Sequence, residues 1–473
     1  MIEELDVDAF EVEGIDFTGS VVGLLKEHIF DTALITINKQ FEDQPLVRAK
    51  LLQAVAHSLR RLGHPKSAVP QLRLAAELNT SELGPEHTST LSAINLLASS
   101  LRESGEVEEA RIALQEVLEI SRRTLGSDHS ITVFAVTNMG YVLNNLGLYE
   151  EATPYYRESL EGNRRIYGDD NRNTINALGN MGALLEVQGQ LEEAKSCYTE
   201  ALVRSRRVLG EQHSMTMMVK EAMASLLQED GKHDEAMAYR TEVLEIRRQL
   251  YGDEHGLTVR AVLHLAASLY EQGKYDEAMP YYTEILETRR HVHGDEHPDT
   301  LWSINNMGFT LQIQGKYDEA MPYLVEALEA RRRVLGDEHP DTLWSINNMG
   351  LILRDQGKHE EAEPYFIEAL EARRRTRGDT HPSTITSMNN LAVGFLRQGK
   401  YEDARLYFVE TLAAARHTLG ETHMGTIKAL KWLRNLHTAW HGVDPEGGHD
   451  ATADEYQAQL DAIKAKAGEP AAP

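Results

Sequence analysis

The sequence predicts an all-α protein: a solenoid of about nine antiparallel helix pairs closed by a C-terminal capping helix. Three observations predict it. First, glycine recurs at 84, 126, 168, 210, 252, 294, 336, 378 and 420, each step being 42 residues with no insertion. Second, fixed companions travel with it: His three positions on (87, 129, 213, 255, 297, 339, 381 and 423, with Asn171 the exception) and Thr three further on. A second glycine ladder runs from 63 to 399 and an alanine ladder from 68 to 404 at the same period. Third, the stretches between glycines carry helical periodicity. Leu301, Ile304, Gly308 and Leu311 recur at spacings of three and four, one stripe on a helix.

The elements follow in order. Residues 1–16 hold seven acidic residues and no basic ones, so 1–17 is expected to be a flexible acidic tail. Residues 18–45 are expected to form a helical segment capping the first repeat, and 46–441 the repeat array. Within each unit, helix A is expected over a stretch such as 299–314, stopped by Gly315; helix B follows over 316–335 and is stopped by Gly336. Asp299, Asp341 and Ser383 follow a proline and precede a helical run, where an N-cap belongs. One helix pair cannot bury both its faces, so the units must stack. The alanine ladder, and Gly or Ala at 98, 140, 182, 224, 266, 308, 350 and 392, would let helices approach closely. Residues 424–441 are expected to be a lone capping A helix, and 442–473 a linker, a possible short helix and a disordered end.

Composition narrows the function classes. The net charge of −26 disfavours nucleic acid and anionic lipid as partners. One cysteine, Cys197, leaves no intrachain disulfide; it falls in a tyrosine column and is expected to be a core residue. The acidic start lacks the pattern of a signal peptide, and no apolar run reaches the length of a membrane span. A cytoplasmic protein is expected. The histidines recur once per unit and lack metal-ligand spacing, so they are read as capping or packing the turn. The arginine column 122, 164, 206, 248, 290, 332, 374 and 416 lies in the last turn of helix B, where it offsets the helix dipole. No catalytic order of residues stands out. The expectation is a non-enzyme without metal or cofactor.

The glycine and alanine ladders resemble the tetratricopeptide repeat. The 42-residue spacing, the INNMG and MNNLA strings and the LGDEHPDT linker are similar to the variant found in kinesin light chains and many bacterial proteins. The resemblance implies a right-handed superhelix whose A helices line a concave groove, a groove that in the family takes peptides or partner proteins. Asparagines of the A helix serve there on the peptide backbone. By position that role passes to Asn138, Asn180, Asn306, Asn348 and Asn390, with the adjoining Asn305, Asn347 and Asn389 in the same strings.

Nine copies in one chain also separate scaffold from variable positions. The column of Trp302 and Trp344 varies widely (Ser92, Phe134, Asn176, Met218, Arg260, Thr386), as a ligand-reading surface on a constant frame would. Trp302 and Trp344 precede their asparagines by one turn and so share their face. Two alternatives stay open: these amides and indoles bond or pack against neighbouring A helices, or they bind a partner. Ala222 and His264 interrupt the asparagine ladder. The expected function is a protein-interaction scaffold binding a peptide or protein segment. The rival is a regulatory or self-assembly module acting through its termini, with the groove filled by its own tail. The sequence leaves the partner's identity and the oligomeric state open.

Overall fold

The computed structural model describes residues 29–467. The acidic tail 1–17 and the first part of the 18–45 cap lie outside the described residues. Helices account for every regular element among the described residues, and the chain divides into two compact units, Met1–Ser268 and Leu269–Pro473.

In the first unit a short helix, Asp31–Gln40, buries Ile37 against Pro45–Arg61, the first A helix. Helix pairs then repeat through Thr88–Ser104 and Val107–Thr124 to Ser214–Glu229 and His233–Tyr251, and the A helix that begins at Gly256 carries the chain to the unit boundary. In the second unit the pairs are Pro298–Ile313 with Tyr317–Leu335, Pro340–Asp355 with His359–Arg377, and Pro382–Arg397 with Tyr401–Leu419. Helix pairs packed on their neighbours make each unit an all-α stack.

The turn between units explains why the G-x-x-H-x-x-T string hardly varies. Gly294 and its equivalents adopt φ near +85°, a left-handed conformation that ends helix B and that side-chain-bearing residues resist. The next helix is capped by the histidine, not by the aspartate or serine expected. His297, His339 and His381 each accept a hydrogen bond at Nδ1 from the backbone N–H two residues on, at 3.2 Å, which places Asp299, Asp341 and Ser383 inside the helix. The reason is atomic. Nδ1 of a neutral imidazole occupies the place of an asparagine Oδ1 and accepts the same bond. Asn171, the exception in the ladder, does so through Oδ1 at 2.9 Å. In the first four turns the threonine then closes the loop: the hydroxyls of Thr90, Thr132, Thr174 and Thr216 donate to the glycine carbonyl six residues back at 2.7–2.8 Å. Thr300 donates instead to the Arg289 carbonyl at 3.3 Å, and the Thr258, Thr342 and Thr384 hydroxyls are buried without a partner among the described residues.

Packing between A and B helices rests on the small-residue columns. The alanine ladder is buried throughout, as at Ala110, Ala194, Ala320 and Ala404. A Cβ on Gly350 would lie 2.6 Å from Phe366, on Gly182 2.6 Å from Tyr198, and on Gly308 2.8 Å from Leu324. A missing side chain on helix A thus makes room for a large one on helix B of the same pair.

The arginine column at the end of helix B does more than face the dipole. Arg122, Arg164 and Arg206 pair with Glu158, Glu200 and Glu242 on the following B helix at 2.7–3.5 Å, and Arg290 with Glu326 at 2.5 Å. The adjacent arginines reach backward to the acidic loop residue of the preceding turn: Arg165 to Asp128 at 2.7 Å and Arg375 to Glu338 at 2.6 Å. All are partly exposed, so each contributes under about 1 kcal/mol. Their value is in register rather than strength.

The helix Met424–His441 does not end the array alone. The helix His449–Ala467 packs on it through Leu460 and Ile463, and Gln459 accepts from Arg416 at 2.8 Å, taking the part that glutamate plays in earlier repeats. The two helices share an aromatic cluster. Trp440 stacks on His449 with ring centres 4.1 Å apart, and buried His437 lies 5.6 Å from His449 and 5.8 Å from Tyr456. Burial, then His449 and Arg405, hold His437 below the ordinary histidine pKa, with Glu402 opposing.

These contacts can be tested at two points. His297→Ala is expected to cost about 1 kcal/mol, and His297→Asn close to nothing; amide exchange in Pro298–Ile313 reads both, and equal effects would contradict Nδ1 capping. Undocked, His437 takes up a proton at higher pH than it does when docked. Docking of His449–Ala467 should therefore weaken as pH falls through about 6.5. Protection of its amides, corrected for intrinsic exchange, should fall between about pH 7.5 and 5.5; constant protection would refute the role of His437.

Candidate functional site

The candidate residues lie on the A helices, positioned by the turns just described. In the second unit Trp302 is 37% exposed and Trp344 half-buried. Each indole lies over an arginine from the preceding B helix: Arg289 is 5.5 Å from the Trp302 ring centre, and Arg331 5.4 Å from that of Trp344. The guanidinium is fixed in turn. Arg289 donates to Ser303 Oγ at 2.8 Å and Arg331 to Ser345 Oγ at 2.7 Å; Arg373 repeats the bond to Ser387 at 2.6 Å.

These arginines form a second column, 247, 289, 331 and 373, one residue before the column picked out in the sequence. Sequence reasoning missed it. Part of the signal was there: Ser303, Ser345 and Ser387 each accompany an arginine of this column, though Arg247 has Ala261, and Ala93, Ala135, Ala177 and Val219 stand where the arginine is missing. Arg331 is 2% exposed, and burial pushes its pKa down; Arg373 is pushed down to about 10. At about 10, Arg373 still carries its charge at neutral pH.

The buried arginines differ in counter-charge. In the first unit Arg247 pairs with Glu221 at 2.8 Å. Burial raises the Glu221 carboxyl, but His264 and Arg247 outweigh it and hold it below the usual carboxylate range. In the second unit the positions equivalent to Glu221 are Asn305 and Asn347, which bring no charge to Arg331 and Arg373.

The asparagines divide into two groups. Asn305, Asn347 and Asn348 are buried and bond between successive A helices. Asn348 Nδ2 donates to Asn305 Oδ1 at 3.2 Å, and Asn390 Nδ2 to Asn347 Oδ1 at 2.8 Å. For these pairs the inter-helix alternative describes the geometry. Asn306, Asn389 and Asn390 are half-buried, with surface to offer. Asn389 and Asn390 line a cavity of about 570 Å³ with Arg354, Arg397 and Trp432. In the first unit Asn180 donates to the Tyr141 hydroxyl at 2.6 Å, and Asn138 is buried with Nδ2 unbonded. Where the ladder departs, His264 Nδ1 lies 3.6 Å from the Glu221 carboxylate, so an imidazole–carboxylate contact takes the place of an amide pair.

Among the described residues no three His, Cys, Asp or Glu side chains converge to hold a metal, and no helix is long and apolar enough to cross a membrane. Cys197 is half-buried, and burial pushes its thiol pKa up, away from nucleophilic character.

The buried pair in the first unit is testable. Glu221→Asn should lower stability by about 2–3 kcal/mol by stranding Arg247, and adding Ala261→Ser should recover part of the loss by supplying the hydroxyl that Arg331 uses. Urea unfolding of both variants decides it, and an unchanged midpoint for Glu221→Asn would overturn the assignment.

The tetratricopeptide repeat family matches the chain over residues 90–131 and, in overlapping windows, from 132 to 417. Among solved structures, the apo form of RapI is 16% identical with a TM-score of 0.54, covering 80% of this chain and 99% of that one. BtubC (BKLC) from P. vanneervenii is 20% identical with a TM-score of 0.42, covering 50% of this chain and 94% of that one. A putative kinesin light chain with nearly identical TPR-like repeats, from Podosopora anserina, is 20% identical with a TM-score of 0.39, covering 44% of this chain and 97% of that one. At these identities the likeness is one of fold. No curated protein matches the chain.

Proposed function

Because the chain belongs to the tetratricopeptide repeat family, we propose that it is a non-catalytic interaction protein that holds a segment of a partner protein against its A helices. The observation that carries this reading is the pair Trp302 and Trp344. They stand at one register on successive A helices, at least partly open to solvent, each backed by an arginine that is itself hydrogen-bonded. Solvent-facing tryptophan held rigid is what an interface anchor needs, since little entropy is left to lose on binding. Asn306 and Asn390 supply donors and acceptors for a peptide backbone on the same face. Asn305, Asn347 and Asn348 hold the A helices in register beneath. Asn389 adjoins Asn390 on its own A helix, and in the first unit Asn138 and Asn180 hold the position in their A helices that Asn306 holds in its own. In this reading the protein works in the cytoplasm, away from nucleic acid and membranes, which a net charge of −26 and a single cysteine support.

The rival, a regulatory or self-assembly module acting through its termini with the groove occupied by its own tail, draws less support in that last part. The described part of the tail helix is occupied with Met424–His441, while Trp302 stays exposed.

The test compares wild type with a variant carrying Trp302→Ala, Trp344→Ala, Asn306→Ala and Asn390→Ala. Each tryptophan is expected to contribute about 2 kcal/mol to partner affinity, or roughly 30-fold. Capture from host lysate should be lost while helicity is unchanged. Equal capture by both would move the site off this face.

A further inference from the structure

The first unit contains a cavity of about 370 Å³ between the A helices Thr88–Ser104, Ser130–Asn145 and Arg172–Val187 and the B helix Tyr149–Tyr167. Its origin is visible by comparison with the second unit. Asn163 stands where Arg331 and Arg373 stand later, and Ala177 where Ser345 and Ser387 stand. In the second unit the guanidinium crosses from helix B to the serine and fills the space beneath the A helices. Asn163 instead bonds back to the Ser159 carbonyl of its own helix at 2.8 Å, and the space is left open.

What lines that space is distinctive. Hydroxyls and asparagine amides predominate, with Phe134 and Ile131 among them, and no lining residue is charged. The contrast is with a chain of 26% charged residues and a net charge of −26. Several of the polar groups are unused. The side chains of Ser92 and Asn176 and the Tyr167 hydroxyl make no hydrogen bond to another described residue. Asn95 is fully buried, gives its Nδ2 to the Ile131 carbonyl at 3.3 Å, and leaves Oδ1 without a donor. An unmet acceptor at the wall of a polar cavity costs free energy until something donates to it.

We propose that this cavity seats an extended, uncharged segment of the partner, with Ser, Thr, Asn, Gln or Ala side chains, and rejects segments with a charge at their centre. The proposal rests on the reading of the A-helix face as the partner-binding face. Three successive A helices packed about 8–10 Å apart span about 20 Å, the length of about six residues of extended chain. Free amides and hydroxyls match main-chain N–H and C=O groups, which are neutral. No lining side chain offers a counter-charge to a buried carboxylate or ammonium, so its desolvation would go largely uncompensated.

The test uses an array of acetylated, amidated hexapeptides drawn from Ser, Thr, Asn, Gln and Ala, each beside a copy with Asp or Lys at the third position. The full chain is applied as wild type, as Asn163→Arg with Ala177→Ser, and as Asn176→Ala. The double variant copies the arrangement of Arg331 and Ser345, and circular dichroism checks that it folds. Wild type should bind a subset of neutral peptides at least tenfold better than their charged copies. The double variant should lose them, and Asn176→Ala should weaken them by about 3–10-fold. Equal binding of charged copies, no neutral peptide bound, or undiminished binding by the folded double variant each overturns the proposal. The broader reading is judged separately. If the tryptophan variant loses its partner while the filled cavity keeps it, the A-helix face stands and only this assignment falls.

Discussion

Everything in the molecule depends on a seven-residue turn that starts a helix at a fixed angle. A left-handed glycine ends helix B, an imidazole nitrogen caps helix A, and in turns such as 126–132 a threonine hydroxyl closes back onto the glycine carbonyl, while Thr300 turns instead to the Arg289 carbonyl. Glycine is needed for its φ, histidine or asparagine for a δ-position acceptor, and threonine for reach. No residue can be inserted without moving all three. That is the physical cause of the invariant 42-residue period and, through it, of columns that line up from repeat to repeat.

Much of the fold was legible from that period. The helix boundaries, the close approach at Gly308 and Gly350, and the scaffold role of the histidines could all be read from it, because local chemistry decides them. The cap itself was misplaced by two residues. Histidine is a rare cap, and Asp299 has the more familiar composition; only the substitution of Asn171 for histidine hinted at the shared acceptor. The tail helix was visible as a helix but its partner was not, since Gln459 in place of a glutamate hides the repeat.

The candidate site was legible in part. The tryptophans were identifiable from variation along the column, but the arginines beneath them were hidden beside a more regular arginine column. Burial tells the two apart: Arg331 is enclosed, whereas Arg332 reaches an exposed carboxylate. Exposure is a property of three dimensions that a repeat pattern carries only indirectly. The same limit applied to the asparagines. Position alone could not separate Asn348, spent on its neighbour, from Asn306, left at the surface.

The ion pairs between successive B helices have a consequence for the array's history. Arginine and glutamate meet at a constant offset of 36 residues, and the backward pairs at 37, whichever repeats are involved. Each unit therefore presents the same plug and the same socket. A unit copied, deleted or moved within its own stack would find matching neighbours at once. The identical strings at 294–308 and 336–350 are what such a cassette leaves behind when copying is recent. Selection can then lengthen the stack, or relocate a tryptophan together with its arginine, without redesigning a single junction.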